Sequence, residues 1–393
     1  MPLAHEPIIG LPEFKIISTS RRATIEIVVE YTGVIQCIHC GSDRLRKKDS
    51  FSRCLKHHCM GIQKSVLFVR THKFACRRCG KYFNQRLPGI LPYQRVTESY
   101  KEQVALRHHE GASKLTTSRA MGLGSATVER YYQRHLKLMA SERKDASCPQ
   151  VLGIDEKHFT KKQGYMTTFA NLKSHRVYDV ALGRSEASLE SYVRSMRGKE
   201  NCRVIVMDLC EPFRNLARKY FSQALIVADR FHVVKLINHH FLKTWGQLDE
   251  TGRKNRGLLS LMRRHEWSEM KDSSRANLKR YLAENPALGA IYEFKQELMR
   301  LILSRVSAKW QARSLVTDFL DKIRALKESK FGNLVTLGNT LDEWKEEIVR
   351  MWRFSKTNSI TEGLHRRMDE ILNRAYGMRN FQNFRIRVKA FCG

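Results

Sequence analysis

Three short apolar runs in the amino-acid sequence each end in an aspartate, and this pattern suggests metal chemistry. The acids are Asp155 after VLGI, Asp208 after VIVM and Asp229 after LIVA. Carboxylates at neighbouring strand ends can share divalent cations, and two Mg²⁺ ions about 4 Å apart support phosphoryl transfer. Helix capping by aspartate would explain one such site but explains three less well. We therefore predict that Asp155 and Asp208 are ligands of two Mg²⁺ (or Mn²⁺) ions.

Two neighbours of these acids have separate predicted roles. Glu156 directly follows Asp155, and consecutive strand residues point to opposite faces, so only one of the two can face the metal site. We expect Glu156 to face a basic neighbour or to help orient the site. Asp229 follows what should be an edge strand, and we expect Asp229 and His232 to form a supporting pair.

A third carboxylate has to come from another part of the chain, and the C-terminal region offers one. Ser359 or Thr361 can cap a helix that carries Glu362 in its first turn. A glutamate on a helix packed against the sheet can reach Asp155 and Asp208. The alternative is a glutamate that is favoured there only by the helix dipole.

Two CxxC motifs near the N-terminus predict one structural Zn²⁺ ion. The ligands would be Cys37, Cys40, Cys76 and Cys79, and a glycine follows each motif where the turn needs an unusual backbone conformation. The 35 residues between the motifs exceed the usual spacing. They contain further candidate ligands, which could equally be ordinary polar loop residues: Cys54, His57, His58 and Cys59.

The region around the cysteines is strongly basic. Between Cys37 and Arg95 there are fourteen Lys or Arg residues and two Asp or Glu residues, with aromatic residues interleaved. This composition suits a DNA-contacting zinc module, although a solvated face around a small core has the same composition.

The following segment has a helix-turn-helix pattern. It predicts a helix before Gly111, a short helix from Lys114 to Met121, a GLG turn and a helix capped by Ser125. On this interpretation the last helix faces DNA with Ser125, Thr127, Arg130 and Gln133. A helical hairpin that binds nothing is the alternative.

The elements that must position these residues indicate a multidomain α+β chain. The formal net charge of +32 over 393 residues favours a polyanionic partner, and double-stranded DNA is preferred to a membrane because no apolar run of 18 residues exists. No secretory signal is visible, so we expect a cytoplasmic protein.

After residue 146 the order β-β-β-α-β-α-β is typical of an RNase H-like α/β core, in which the first and fourth strands are adjacent and parallel.

Composition and pattern together divide the chain into five predicted segments. These are a zinc-binding module (1–95), a helix-turn-helix domain (96–145), the first part of the RNase H-like core (146–241), an all-α insertion (242–353) and the last part of the core (354–393).

The CxxC pair and four further blocks resemble the DDE transposases of the ISL3 family of bacterial insertion sequences. The blocks are GIDEKHF, VIVMDLCEPFRN, VADRFHVV and TNSITEGLHRRMDEILNRAYGMRNFQNFRIRV, and with the CxxC pair they follow the family order over nearly the whole chain. The resemblance implies a triad of Asp155, Asp208 and Glu362. It also implies binding of terminal inverted repeats, Mg²⁺-assisted hydrolysis that frees a 3′-hydroxyl, and strand transfer into target DNA without a covalent enzyme intermediate.

The resemblance carries expectations about partners as well. Two ends must be brought together, so a homodimer or higher oligomer on DNA is expected. Basic residues after the glutamate would suit DNA strands, although a solvated basic helix is the alternative for each: Arg366, Arg367, Arg374, Arg379, Arg385 and Arg387.

Two other functions remain open at this point. A non-catalytic zinc and helix-turn-helix regulator is disfavoured because all three acids of the triad are present. An RNase H-class nuclease would not need two N-terminal DNA-binding modules.

Overall fold

Two mixed β-sheets and the helices around them build the chain. The computed structural model describes residues 9–11, 13–142, 147–264, 270–305, 309–354, 359–374, 378 and 380–393. The chain divides into two units, Met1–Glu142 with Asn373–Gly377, and Arg143–Leu372 with Met378–Gly393.

The N-terminal unit contains a five-stranded sheet followed by three helices. The strands are β1 (Phe14–Arg21), β2 (Ile25–Tyr31), β3 (Leu45–Met60), β4 (Gln63–Cys76) and β5 (Tyr82–Asn84), in the order β1-β2-β4-β3 with β5 paired to β4. The helices are α1 (Glu98–His109), α2 (Lys114–Met121) and α3 (Ser125–Glu142).

The two longest strands of this unit, β3 and β4, form an antiparallel hairpin. Leu55 and His57 of β3, and Leu67 and Val69 of β4, are buried at alternate positions, which is the period expected of a strand with one face on a core. The far end of β3 contacts the start of α1, where the buried ring of His57 bonds through Nδ1 with the hydroxyl of Thr97 at 3.0 Å. This bond joins the sheet to the helices.

The predicted helix-turn-helix elements are all present, with one correction at the start of α3. The backbone N–H of Val128 donates to the carbonyl of Gly124, so Gly124 occupies the N-cap position and Ser125 is the first helical residue. The hydroxyl of Ser125 lies 3.5 Å from that of Ser118 instead of capping α3. Val128, Tyr132 and Leu136 give the helix a buried face.

The second unit is built on another five-stranded sheet. Its strands are β6 (Val151–Thr160), β7 (Gly164–Asn171), β8 (Arg176–Leu182), β9 (Val204–Met207) and β10 (Leu225–Ala228), in the order β10-β9-β6-β7-β8. The hairpins β6-β7 and β7-β8 are antiparallel, whereas β9 is parallel to both β6 and β10. The first and fourth strands are therefore adjacent and parallel, as the sequence predicted.

Helices connect and surround this sheet. They are α4 (Glu186–Ser195), α5 (Glu211–Tyr220), α6 (Arg230–Leu248), α7 (Glu250–Lys254), α8 (Arg256–Arg263), α9 (Asp272–Glu284), α10 (Pro286–Leu303), α11 (Lys309–Lys327), α12 (Gly332–Glu343), α13 (Lys345–Met351), α14 (Ser359–Arg374) and α15 (Phe381–Cys392). None of the helices in the described ranges is long and apolar enough to cross a membrane.

The predicted helical segment 242–353 contains helices with two different cores. Leu298, Phe319 and Leu337 of α10, α11 and α12 belong to the same apolar cluster as the sheet. A separate cluster around Trp245 and Leu278 holds the end of α6 with α8, α9 and the start of α10. The bounds of the five predicted segments stay predictions.

Candidate functional site

The register of the parallel strands aligns the three aspartates that the sequence singled out. Ile154 of β6 lies opposite Met207 of β9, which lies opposite Ala228 of β10. The next residues along the chain are Asp155, still within β6, and Asp208 and Asp229, which directly follow β9 and β10. Because the three strands run in the same direction, their acids meet at one edge of the sheet.

Two of these acids form a compact group with a histidine. Ligand atoms of Asp155, Asp208 and His232 all lie within 4.8 Å of one another. Asp155 and Asp208 are 7% and 8% exposed, so the group is largely shielded from water. The two carboxylates at this spacing are compatible with a divalent cation.

The electrostatics of the two carboxylates fit a bound cation. Burial, and then the nearby charge of Asp208, raise the pKa of Asp155 to about 8. Oδ1 of Asp208 is buried and lies 2.8 Å from Nδ1 of His232, in a geometry that does not make a hydrogen bond. A divalent cation between them would remove the repulsion and satisfy that oxygen, so the residues fit the metal that the sequence predicted.

Asp229 and His232 are in hydrogen-bond contact, and the supporting role that the sequence suggests for them stays a prediction. Nδ1 of His232 lies 2.8 Å from an oxygen of the fully buried Asp229 and also 2.8 Å from Oδ1 of Asp208. Burial alone would lower the pKa of His232, but the two carboxylates outweigh it and raise the pKa to about 10. A protonated imidazole has no lone pair for a metal, so His232 acts here as a hydrogen-bond donor.

Glu156 is not a member of this compact group, although it lines the same cavity as Asp208 and His232. Its carboxylate lies 3.4 Å from the guanidinium of Arg184, which also stacks on the ring of Tyr165 at 4.2 Å. The separate fates of Asp155 and Glu156 follow from strand alternation, as expected.

The third predicted acid, Glu362, is outside the compact group. Its side chain is 54% exposed and lies 3.4 Å from Arg366, one turn further along α14. Thr361, the predicted alternative cap, is fully buried in the first turn of the same helix.

His365, three residues after Glu362, was not among the predicted site residues. Its Nε2 is 2.9 Å from the hydroxyl of Thr168 and its Nδ1 is 3.7 Å from Asp155. Burial and the charge of Lys157 lower the pKa of His365 to about 4, so the ring is neutral at Asp155. The position of a histidine one turn after the predicted glutamate, in TEGLH, was the available signal.

The basic residues after Glu362 have different surroundings. Arg366, Arg367 and Arg374 are exposed, which fits both predicted alternatives, DNA contact and a solvated basic helix, and Arg379 lies outside the described residues. Arg385 was also expected to face DNA, but it forms two bonds of 2.6 and 2.7 Å with the buried Asp179. Arg385 therefore holds α15 to β8. Arg387 is half-buried in the same helix.

In the N-terminal unit, the four predicted zinc ligands converge. All four sulfur atoms lie within 4.8 Å of one another, with Cys37 and Cys79 at 3.7 Å and Cys40 and Cys76 at 3.6 Å. Tetrahedral zinc with bonds of about 2.3 Å places its sulfur ligands about 3.8 Å apart. The Cys37, Cys40, Cys76 and Cys79 cluster is therefore compatible with a structural zinc ion.

The two CxxC turns have the same backbone geometry. Gly41 and Gly80 have φ values of +72° and +71°, and each donates its N–H to the carbonyl of the first cysteine of its motif. A side chain is strained in this conformation, which explains the glycine after each motif. Backbone N–H groups of Cys79 and Arg78 lower the pKa of Cys76 to about 6, which favours the thiolate that binds zinc.

The other candidate ligands between the motifs do not join a metal-compatible group among the described residues. Cys54 is exposed on β3, and both ring nitrogens of His57 bond within the protein, to Thr97 and to the carbonyl of Ile9. His58 lies 3.4 Å from the hydroxyl of Ser99, and the N–H of Cys59 donates to Gln103.

Helix α3 exposes two of the four side chains that were predicted to face DNA. Ser125 and Arg130 are exposed, while Thr127 and Gln133 are half-buried. Arg130 donates to the hydroxyl of Thr127 at 3.1 Å, and Gln133 donates to Glu129 at 2.8 Å.

Replacement of one cluster cysteine should remove the bound metal. We expect Cys76→Ser to lose the single zinc ion per chain, since three thiolates and a hydroxyl bind zinc more weakly, and to lower the thermal stability of the N-terminal unit. Elemental analysis of the purified protein measures the zinc. Cys54→Ser is the matched control and should retain it; equal loss in both variants would contradict the assignment.

Comparisons with known proteins agree with these features. A family described as "Transposase" matches residues 152–388, more than half of the chain, and a "Helix-turn-helix domain of transposase family ISL3" matches residues 85–136. The chain is also 23% identical over 380 residues to the transposase for insertion sequence element IS1001 of Bordetella parapertussis, an alignment that covers 93% of this chain and 91% of that protein. The chain therefore belongs to the ISL3 family of DNA transposases.

Proposed function

We propose that this transposase cuts and joins DNA at the carboxylate edge of the second sheet, with Asp155, Asp208 and Glu362 as its DDE triad. Asp155 and Asp208 would hold a pair of Mg²⁺ or Mn²⁺ ions, and Glu362 would complete the coordination of the second ion. Such ions lower the pKa of bound water and stabilise the leaving oxygen of a phosphodiester.

The observation that carries the proposal is the alignment of Asp155 and Asp208 on adjacent parallel strands. Two buried carboxylates that repel one another are costly unless a cation compensates them, and Oδ1 of Asp208 has only an ionic contact with His232 in place of a hydrogen bond. Strands β6, β7 and β8 are consecutive and antiparallel, and β9 and β10 lie on the other side of β6 and run parallel to it. This strand order supports an RNase H-like core.

The packing of α14 supports Glu362 as the third acid. His365, one turn after Glu362, lies against Asp155, and Lys157 of β6 pairs with Asp369 of α14 at 2.8 Å. Helical residues three apart differ by about 4.5 Å along the axis. Glu362 therefore lies on the same face of α14 as His365, one turn closer to the start of the helix.

The two N-terminal DNA-binding elements suit recognition of the terminal inverted repeats. In this proposal α3 enters the major groove with Arg130, and the zinc-compatible cluster displays Arg44, Arg77 and Arg78 around a cavity of about 1100 Å³. A homodimer or higher oligomer would bring the two ends together. A regulator without catalysis would not need the buried acid pair, and a structure-specific nuclease would not need these N-terminal elements.

Removal of single triad acids tests the proposal. On a labelled duplex that carries the inverted repeat flanking the coding sequence, Asp208→Asn and Glu362→Gln should each lower Mg²⁺-dependent nicking by at least about a thousandfold, the scale expected for members of one catalytic set. Gel analysis of the cleaved strand gives the rate, and a mobility shift verifies that the duplex is still bound.

Each variant has a neighbour as its control. Glu156→Gln changes the adjacent acid that pairs with Arg184, and Glu370→Gln changes an exposed acid on the same helix as Glu362. Both should still nick the duplex. Nicking that survives Asp208→Asn would remove the acid pair from the mechanism, and nicking that survives Glu362→Gln would remove only the third ligand.

The raised pKa of Asp155 predicts a pH dependence of metal binding. Below about pH 8 the carboxyl holds a proton that a cation must displace, so the affinity for Mn²⁺ should fall by up to about tenfold per pH unit as pH decreases below 8. Above pH 8 the affinity should level off. Calorimetric titration measures it, and a slope that is unchanged in Asp155→Asn would assign the proton to another group.

Arg130 tests the recognition role of α3. We expect Arg130→Ala to weaken binding of the repeat by about 1–3 kcal/mol if the side chain contacts a base edge. Fluorescence anisotropy with the repeat and with a scrambled duplex of equal length separates the two kinds of contact. A base contact affects the repeat more, whereas an equal loss on both duplexes would indicate a phosphate contact.

A further inference from the structure

A basic groove leads away from the acid pair along helix α6. One cavity of about 620 Å³ begins at Asp208 and His232 and extends to Lys235 and His239. A second cavity of about 740 Å³ is also lined by Lys235 and His239 and continues to Lys243. The two shared residues join the cavities into one depression, which we name the α6 groove.

The spacing of residues along α6 explains why its basic residues line one side of the groove. His232, Lys235, His239 and Lys243 recur every three or four residues, so they share a face of the helix. Val233, Ile237 and Phe241 are buried on the opposite face. The apolar core thus fixes the direction of the basic row.

The groove carries uncompensated positive charge beyond the acid pair. Lys235 and Lys243 are exposed, and neither forms an ion pair with an acid in the part of the chain that the structure describes. From Arg230 to Leu248 the sequence contains no Asp or Glu. Repeated positive charge on one helical face is unfavourable by itself, and a bound polyanion would offset that cost.

The far wall of the groove adds two arginines from the neighbouring helices. Arg263 of α8 is exposed at the second cavity, and Arg253 of α7 lies there too. Arg253 is held by a bond from Nε to the carbonyl of Leu242 at 3.3 Å, with its guanidinium 5.9 Å from the centre of the Trp245 ring. Oδ1 of Asn238, on the groove side of α6, has no hydrogen-bond partner among the described residues.

The groove has the length and chemistry for several consecutive phosphates. His232 and Lys243 are 11 positions apart in a helix, a distance of about 16 Å. A B-form strand advances about 3.4 Å per nucleotide, so this distance corresponds to about five nucleotides. We propose that the α6 groove binds the backbone of the DNA strand that carries the scissile phosphate, on one side of that phosphate; this inference rests on the proposed cleavage site.

The test measures binding without cleavage. In an Asp208→Asn background, Lys235→Ala combined with Lys243→Ala should weaken binding of the repeat duplex by about ten- to a hundredfold at moderate salt. The slope of log K against log salt should become shallower by about two, one for each lost phosphate contact. Lys219→Ala is the matched control, because Lys219 is an exposed lysine of the same unit that already pairs with Glu190 at 2.6 Å.

Replacement of single phosphates by uncharged methylphosphonates shows which phosphates the α6 groove contacts. Methylphosphonates placed one at a time over about five nucleotides on either side of the scissile phosphate should weaken binding of the Asp208→Asn protein on one side only. The same substitutions should have no further effect on the protein that also lacks Lys235 and Lys243. Circular dichroism and thermal melting verify that the variants fold.

The outcomes separate this inference from the proposed function. If Asp208→Asn abolishes nicking but the lysine variant keeps the control's affinity and salt slope, the groove does not hold the strand and the cleavage site stands. Equal sensitivity to methylphosphonates in the presence and absence of the two lysines would also overturn the groove. If the unaltered protein fails to nick the duplex with Mg²⁺, the proposed function itself fails.

Discussion

The rest of the second unit depends on one constraint, the concentration of three buried aspartates at one edge of a sheet. Parallel strands in register bring Asp155, Asp208 and Asp229 to the same edge, where like charges repel and water is scarce. His232 compensates part of this charge through Asp229 and Asp208. The negative charge that remains on Asp155 and Asp208 favours a divalent cation between them. The unit must therefore hold these two acids close together.

Rigidity comes from helices that arrive late in the sequence. Helix α15 is fixed to β8 by Arg385 and Asp179, and Phe384 of α15 packs against Phe159 of β6 at a ring distance of 5.0 Å. Helix α14 contacts β6 and β7 through Lys157 and Thr168. The strand that carries Asp155 is therefore supported by residues more than 200 positions away, which explains why a long helical segment can interrupt the fold without loosening the site.

Local patterns predicted much of this arrangement, and long-range contacts account for the differences. Apolar runs that end in aspartate identified three strands and their acids, and the CxxC spacing identified four sulfur atoms that do meet. Arg385 was expected to contact DNA because the sequence alone does not distinguish an arginine in solvent from one that pairs with a buried acid. Only the folded chain brings Asp179 next to it. Gly124 takes the cap position that was expected for Ser125, and the side chain of Glu362 lies next to Arg366. The first residue of a helix and the rotation of a side chain both depend on local contacts, which cannot be read from the periodicity of the sequence.

The β3-β4 hairpin sets a distance within the N-terminal unit. Leu45 pairs with Cys76 at the zinc-compatible end, and Lys56 bonds with Arg95 and Thr97 at the start of the helices. Eleven strand residues at about 3.3 Å each separate these ends by about 36 Å. One turn of B-form DNA has about the same length. The hairpin is thus a fixed spacer, so a duplex that lies along it and touches both ends would present the same groove to each of them.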